Sequence, residues 1–220
     1  MTAEMSQDPT SVAERLNALL AKASLVPLDP ALGQRFEDYL GLLMRWNARI
    51  NLTAIRDEEG ILTRHFIESI ACALALPQGI RTLLDFGSGA GFPGVPIALC
   101  RPEIAVTLAE SQGKKAAFLQ EAIRVLDLRA EVFGGRAELM KDSFDCVTLR
   151  AVDRMEHAAG VAAQLVGSGG WLVLMTTSAE LRSLQTAAGA AFSWQGEVLL
   201  PGSADRVLAI GEEATHPASA

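Results

Sequence analysis

Over the first third of the chain the apolar residues recur at helical spacing, and after Ile80 the pattern changes to short apolar runs separated by turns. Ser11-x-x-Glu14 is a capping-box pattern, and Leu16, Leu19, Leu20 and Ala23 follow on one face of a helix that Pro27 ends. A second helix is predicted over 30–47, with Phe36, Leu40, Leu43 and Met44 as its buried stripe, and a third over 57–76. Beyond Ile80, apolar runs alternate with helical stretches, the signature of β/α units around a parallel sheet. Strands are predicted at 81–86, 104–110, 130–134, 144–149 and 171–176, with helices at 94–100, 113–126 and 154–166. Two further strands, 192–200 and 206–210, read as a hairpin turning in Pro201-Gly202-Ser203-Ala204. The expected fold is therefore α/β: a seven-stranded, mostly parallel sheet with helices on both faces. Residues 1–78 read as a helical extension packed on the core, 79–212 as the core and 213–220 as a frayed tail.

Half of the 220 residues are hydrophobic, enough to bury a substantial core. No apolar run reaches the roughly 18 residues that span a bilayer, and residues 1–10 are polar, with Glu4 and Asp8. Neither an export signal nor an anchor is expected, and the protein reads as cytoplasmic and monomeric. Cys72, Cys100 and Cys146, odd in number and set in apolar contexts, read as reduced core thiols. The sequon Asn51-Leu52-Thr53 carries no weight in such a chain. The net charge of −7 argues against avid, non-specific nucleic-acid binding but leaves room for a local basic patch. Arg45 and Arg49, one helical turn apart, Arg56, Arg64 and Lys114-Lys115 are the candidates; Asp57, Glu58 and Glu59 intervene, so solvated faces are the competing reading. His65, His157 and His216 are scattered and show no metal-ligand spacing, so no metal is expected.

The segment Asp85-Phe86-Gly87-Ser88-Gly89-Ala90-Gly91-Phe92-Pro93-Gly94 lies between the apolar runs Thr82-Leu83-Leu84 and Val95 to Leu99. That is a strand, a glycine turn and a helix start. Glycine accepts positive φ and has no Cβ, so the backbone can approach a bound nucleoside closely. The helix would aim free N–H groups and its positive dipole end at the ligand. Two cofactor classes compete, because Gly89-x-Gly91-x-x-Gly94 also satisfies the dinucleotide fingerprint. Both want an acid after the second strand for the ribose hydroxyls, and Glu110 stands there. Asp85, two residues before Gly87, suits the Asp/Glu-x-Gly-x-Gly-x-Gly loop of S-adenosylmethionine-dependent methyltransferases, and no Tyr-x-x-x-Lys pair for hydride transfer is evident.

Further motifs widen the match. They are Trp46-Asn47-x-x-Ile50-Asn51-Leu52-Thr53-Ala54-Ile55-Arg56, His65-x-x-Glu68-Ser69, the glycine loop through Pro96, Lys114-Lys115-x-x-Phe118-Leu119, Arg136-Ala137-Glu138 and Phe144-Asp145-x-Val147-x-x-Arg150-Ala151-Val152. Over residues 30–210 the chain resembles the glucose-inhibited division protein B family, the ribosomal RNA small subunit methyltransferases G. The resemblance implies a Rossmann-like class I methyltransferase that moves methyl from S-adenosylmethionine, leaving S-adenosylhomocysteine, to N7 of one guanine in the decoding-region loop of 16S ribosomal RNA. It implies the assembled or partly assembled small subunit as partner. Carried over by position, the loop residues Asp85, Gly87, Gly89, Gly91 and Phe92, the pair Ala137-Glu138 and Arg150 would meet the cofactor, and Glu110 its ribose. The chain departs from the family pattern where Glu110 and Glu68 replace the usual Asp, where Gly167-Ser168-Gly169-Gly170 lacks the usual Lys-Pro, and where Gly211-Glu212-Glu213 replaces a basic residue.

Guanine N7 has a free lone pair at neutral pH, so direct displacement needs alignment and desolvation rather than a base. The chain agrees by what it lacks: no Asn/Asp-Pro-Pro-aromatic motif follows the fourth strand, and no cysteine follows a proline in an active loop. Arg150 is the candidate for positioning, by a forked grip on a carboxylate or phosphate; its competing reading is an ion pair with Asp145 or Asp153. Glu138 could accept from an adenine amine or simply start a helix, Phe92 could cover the cofactor or pack beneath the loop, and His65 reads as a capping or core histidine more than a base. Arg45, Arg49, Lys114 and Lys115 are the expected RNA lip. An oxidoreductase, a non-catalytic nucleoside-binding module and a small-molecule methyltransferase are the alternatives.

Overall fold

In the computed structural model, which describes residues 11–214, the strands are β1 (Thr82–Phe86), β2 (Ala105–Ala109), β3 (Ala130–Phe133), β4 (Phe144–Arg150), β5 (Val166–Thr177), β6 (Phe192–Trp194), β7 (Val198–Leu199) and β8 (Arg206–Glu213). They form one sheet in the order β3-β2-β1-β4-β5-β8-β6, with β7 also on β8. The first five run parallel, and β8 runs antiparallel to β5, β6 and β7. The helices are α1 (Val12–Lys22), α2 (Pro30–Asn47), α3 (Glu58–Gly60), α4 (Ile67–Ala75), α5 (Gly94–Cys100), α6 (Gly113–Val125), α7 (Met155–Gln164) and α8 (Ser178–Ala188).

Strand alternation divides the apolar residues between two layers. Leu83, Val106, Leu108, Cys146, Val173 and Met175 join the core with the N-terminal helices, α5 and α6, whereas Leu84, Phe86, Val147, Leu149, Leu172 and Leu174 face α7 and α8. The predicted Ser11 capping box closes as read, and Asp29 caps α2 ahead of Pro30 at N1. Helix α2 lies against the sheet-bound helices. Trp46 Nε1 donates to Glu121 of α6 at 3.0 Å, and Tyr39 Oη donates to the Ala90 carbonyl of the glycine loop at 2.6 Å. Burial pushes the Cys72 and Cys100 thiols up to about 12, so both stay protonated, and all three cysteines are free. No helix among the described residues is long and apolar enough to cross a membrane.

Five details differ from the sequence reading. The sheet has eight strands rather than seven because the segment read as one strand, 192–200, is broken. Trp194 pairs with Gly211 and Val198 with Leu208, four residues opposite three, so an extra residue bulges at Gln195–Glu197. The third predicted helix is interrupted: between α3 and α4 the backbone widens to a π-helical turn over Ile61–Phe66, with the Thr63 hydroxyl donating to the Glu59 carbonyl. Helix α8 has no counterpart in the prediction, since Leu181 and Leu184 are the only large apolar residues on its buried face. Strand β5 starts five residues before the predicted 171, and its glycine stretch absorbs a register shift between the Phe144 and Cys146 pairings. Strand β8 also runs one residue into the predicted tail; residues 215–220, with His216, and residues 1–10 lie outside the described part.

Candidate functional site

The carboxyl ends of β1, β2, β3 and β4 open onto one cavity of about 500 Å3, where an open α/β sheet is expected to take its ligand. Its floor is the glycine loop. Gly87 sits at φ +74°, and a Cβ there would lie 2.9 Å from Val152 Cγ2, so only glycine leaves this part of the cavity open. Gly91, at φ +92°, serves the other side: a Cβ would meet Tyr39 Oη at 2.7 Å and block the hydrogen bond that ties the loop to α2.

Asp85 is buried under the loop, with Oδ2 accepting from Gly94 N–H at 3.1 Å and Oδ1 from Thr148 Oγ1 at 3.0 Å. Burial pushes its carboxyl up to about 6, against the pull of these hydrogen bonds. It clamps the loop to α5 and does not line the cavity. Glu110, also buried, does line it. Its Oε2 accepts from Gly89 N–H at 3.0 Å and its Oε1 from Gln112 N–H at 2.7 Å, which fixes the carboxylate with lone pairs left for a ligand hydroxyl. The longer acid thus reaches both the loop and the chain after β2.

Arg150 is neither free nor paired with Asp145 or Asp153. Its Nη2 donates to Glu68 Oε2 at 2.6 Å and to the Arg64 carbonyl at 2.7 Å, and its Nη1 to Ser69 Oγ at 3.1 Å. Glu68 has no exposed surface and also takes Arg206 at 2.7 Å, with Arg64 at 3.8 Å. Arg150 still lines the cavity, and its Nε–H takes no acceptor among the described residues. Beside it, Ala151 and Arg154 hold left-handed backbone, at φ +50° and +51°, on the cavity lip.

Phe92 packs with Tyr39 and Phe66 beneath the loop, one of the two roles weighed for it, and it also reaches the cavity. Its ring stacks on His65 at 4.5 Å between centroids. His65 Nε2 lies 2.8 Å from Thr53 Oγ1, whereas its buried Nδ1 has no partner. Burial, with Arg150 and Arg64 nearby, lowers its pKa to about 3, so the ring is neutral near pH 7 and a poor proton acceptor.

Of the residues singled out in the sequence, Gly87, Gly89, Phe92, Glu110, Ala137, Glu138, Arg150 and Lys115 line this cavity, and Asp85 and Gly91 hold the loop from behind. Arg49, Lys114 and Lys115 line a neighbouring cavity, and Arg45 lines neither. Sequence reasoning missed Thr53 and Gln112 as cavity residues and Glu68 as the carboxylate that holds Arg150. The signal for two of them was present, since Thr53 and Glu68 stand in the quoted motifs, but spacing alone says nothing about which long-range partner they meet. No cluster of potential metal ligands occurs among the described residues.

The family model for rRNA small subunit methyltransferase G matches residues 33–202. The ribosomal RNA small subunit methyltransferase G of Roseiflexus sp. (strain RS-1) is 47% identical over 146 residues, 63% of this chain and 62% of that protein. That of Stenotrophomonas maltophilia (strain K279a) is 42% identical over 170 residues, 76% of this chain and 78% of that one. The chain therefore spans less than two thirds of the Roseiflexus relative. An O-methyltransferase from Bacillus cereus, in complex with SAH, has the same fold: the TM-score is 0.59 at 17% identity, over 91% of this chain and 100% of that one. The architecture is that of the class I methyltransferases, as the sequence implied.

Proposed function

Since the chain belongs to the rRNA small subunit methyltransferase G family, we propose that it methylates N7 of a specific guanine in the decoding-region loop of 16S ribosomal RNA, in the cytoplasm, with S-adenosylmethionine as donor and no general base. The observation that carries the reading is the pairing, in one cavity, of a glycine loop kept open at Gly87 with the Glu110 carboxylate fixed by Gly89 and Gln112.

The cavity fits the donor. Its volume of about 500 Å3 suits a nucleoside with a short side chain. Glu110 would accept from the ribose hydroxyls, the Ala137–Glu138 turn at the end of β3 would meet the adenine, and the remaining Arg150 donor would face the amino-acid end. When bound, the donor supplies an electrophilic methyl group on a sulfonium. The chain's own residues supply alignment and a water-poor wall: buried Phe92 and the neutral His65 line the cavity without offering a strong base, which suits a nucleophile whose lone pair is already free.

The test is to incubate the protein with labelled S-adenosylmethionine and small subunits from a strain lacking the modification, then to digest the RNA and identify the labelled nucleoside. Label as 7-methylguanosine at a single guanine is expected. Donor binding without transfer to any RNA would replace this reading with the non-catalytic module; label on a different atom or a small molecule would replace the substrate.

A further inference from the structure

A second cavity, of about 490 Å3, shares Gln112 and Lys115 with the first. Its charged lining residues are Arg49, Arg56, Lys114 and Lys115, with no carboxylate among the lining residues. We infer that this cavity binds the phosphodiester backbone of an RNA strand next to the nucleotide that enters the first cavity. The inference deepens the proposed function and rests on it for the identity of the strand.

Three independent features point to an anion. The first is where the acids went. Asp57, Glu58 and Glu59 are near enough in sequence to neutralise Arg56, but Glu58 and Glu59 pair with Arg15 at 3.0 Å each, and Asp57 caps Gly60 N–H at 2.7 Å. Arg15, Arg64, Arg101, Arg150 and Arg206 pair with carboxylates; of the cations that pair with none among the described residues, Arg49, Arg56, Lys114 and Lys115 are the ones that line this hollow. In a protein of net charge −7, four unpaired cations around one hollow are a specific arrangement.

The second is the start of α6. This 13-residue helix carries no acid in its first turn and no side-chain cap, and instead places Lys114 and Lys115 there, against its own dipole. The N–H groups of Gly113, Lys114 and Lys115 take no acceptor among the described residues. Cations and open N–H groups together make an anion seat, and a phosphate oxygen satisfies both.

The third is that the opposite wall is built. Buried Asn47 accepts from Leu52 N–H and Thr53 N–H at 3.0 and 3.1 Å and donates to the Ile55 carbonyl at 3.2 Å, which sets the loop from Asn51 to Arg56. Arg56 Nη2 then donates to Asn51 Oδ1 at 2.8 Å, holding the guanidinium over the hollow. The same loop sends Thr53 into the first cavity and Asn51 and Arg56 into the second. A chain bound in the second is thereby registered against the first. Phosphate contacts of this kind position a strand without reading its sequence.

The test uses the variants Arg49→Gln and Lys114→Gln, singly and together, since neither residue lines the first cavity. Three readouts are taken: S-adenosylmethionine binding, methyl transfer to unmodified small subunits as kcat and KM, and anisotropy of a labelled single-stranded decamer RNA across salt concentration. The expected result is unchanged donor binding, a KM for subunits raised about tenfold or more in the double variant with kcat within about twofold, and a log K against log salt slope reduced by about 0.7 per cation removed. Unchanged KM and unchanged slope, in a wild type that methylates RNA, would overturn the inference. If the wild type methylates no RNA but the variants still reduce the decamer slope, the phosphate seat stands and the methyl-transfer reading falls. Variants that bind the decamer like wild type but lose binding to anionic lipid vesicles would also overturn it, in favour of a headgroup site.

Discussion

Arg150 Nη2 lies 2.6 Å from Glu68 Oε2, on a carboxylate with no exposed surface that also holds Arg206 at 2.7 Å. One acid from α4 thus neutralises a cation at the end of β4 and another at the start of β8. Glu68→Gln leaves Arg150 without its charge partner and Arg206 with only the more distant Asp205, at 3.8 Å, and breaking a buried pair on one side costs about 3–5 kcal/mol. The melting temperature should fall by about 10 °C in a domain of this size. Glu68→Asp keeps the charge but is one methylene short, so it should fall between the two. A Gln variant melting within about 2 °C of wild type would show that water takes over the pairing.

Glu110 joins two backbone N–H groups to the cavity, and its replacement by Gln removes the charge that strengthens those bonds and any made to a ribose. Hydrogen bonds to a charged group contribute about 1.5–3 kcal/mol. S-adenosylmethionine should therefore bind about 10- to 100-fold more weakly to Glu110→Gln, as read by calorimetric titration. Equal affinity would remove Glu110 from the ligand site.

The pH dependence of stability has two opposed contributions. His65 is lowered from 6.5 to about 3, so between those values the unfolded chain holds the proton and the folded one does not; stability from this group falls as the pH falls. Asp85 is raised from 3.8 to about 6, so the folded chain takes up its proton first, and stability rises as the pH falls through that window. Above pH 6.5 the His65 contribution is constant. In His65→Asn the first contribution is gone. Denaturant titrations should show the variant gaining on wild type by on the order of 1 kcal/mol per pH unit between about pH 6 and 4. A difference independent of pH would mean that the wild-type ring protonates in the folded state.

Tyr39 is fully buried and donates to Ala90 across 2.6 Å. Tyr39→Phe keeps the ring, which stacks on Phe66 at 5.3 Å, and leaves the Ala90 carbonyl without its donor. A loss of about 1 kcal/mol in urea is expected, with weaker donor binding because the loop relaxes. Lost stability with unchanged donor affinity would show that the hydroxyl anchors α2 and not the loop.

The strands and the mostly parallel character of the sheet were legible because buried strands leave continuous apolar runs between turns, as in Thr82-Leu83-Leu84 ahead of the turn from Asp85 to Gly94. The glycine loop and Glu110 were legible for a local reason: each role depends on residues within about thirty positions of one another in a β/α unit. The Arg150 partner was not. Asp145 and Asp153 are near it in sequence, but the sheet turns it toward α4, so the acid it meets is 82 residues away. The bulge at Gln195–Glu197 and the π-helical turn escaped for a similar reason. Each is one residue out of register with a pattern that otherwise reads as regular, and tertiary contacts decide where the extra residue goes.

The grip on the cavity has an order in time. Tyr39 and Glu68 precede the loop, β4 and β8 that they hold, so a ribosome delivers the holding side chains before the held ones. Arg150 arrives next, and Arg206 after it. A nascent polypeptide that stops short of Arg206 carries Glu68 with one of its two close cations missing and β5 without its antiparallel neighbour. A ribosome-bound intermediate of that length would therefore be half-gripped until Arg206 is added.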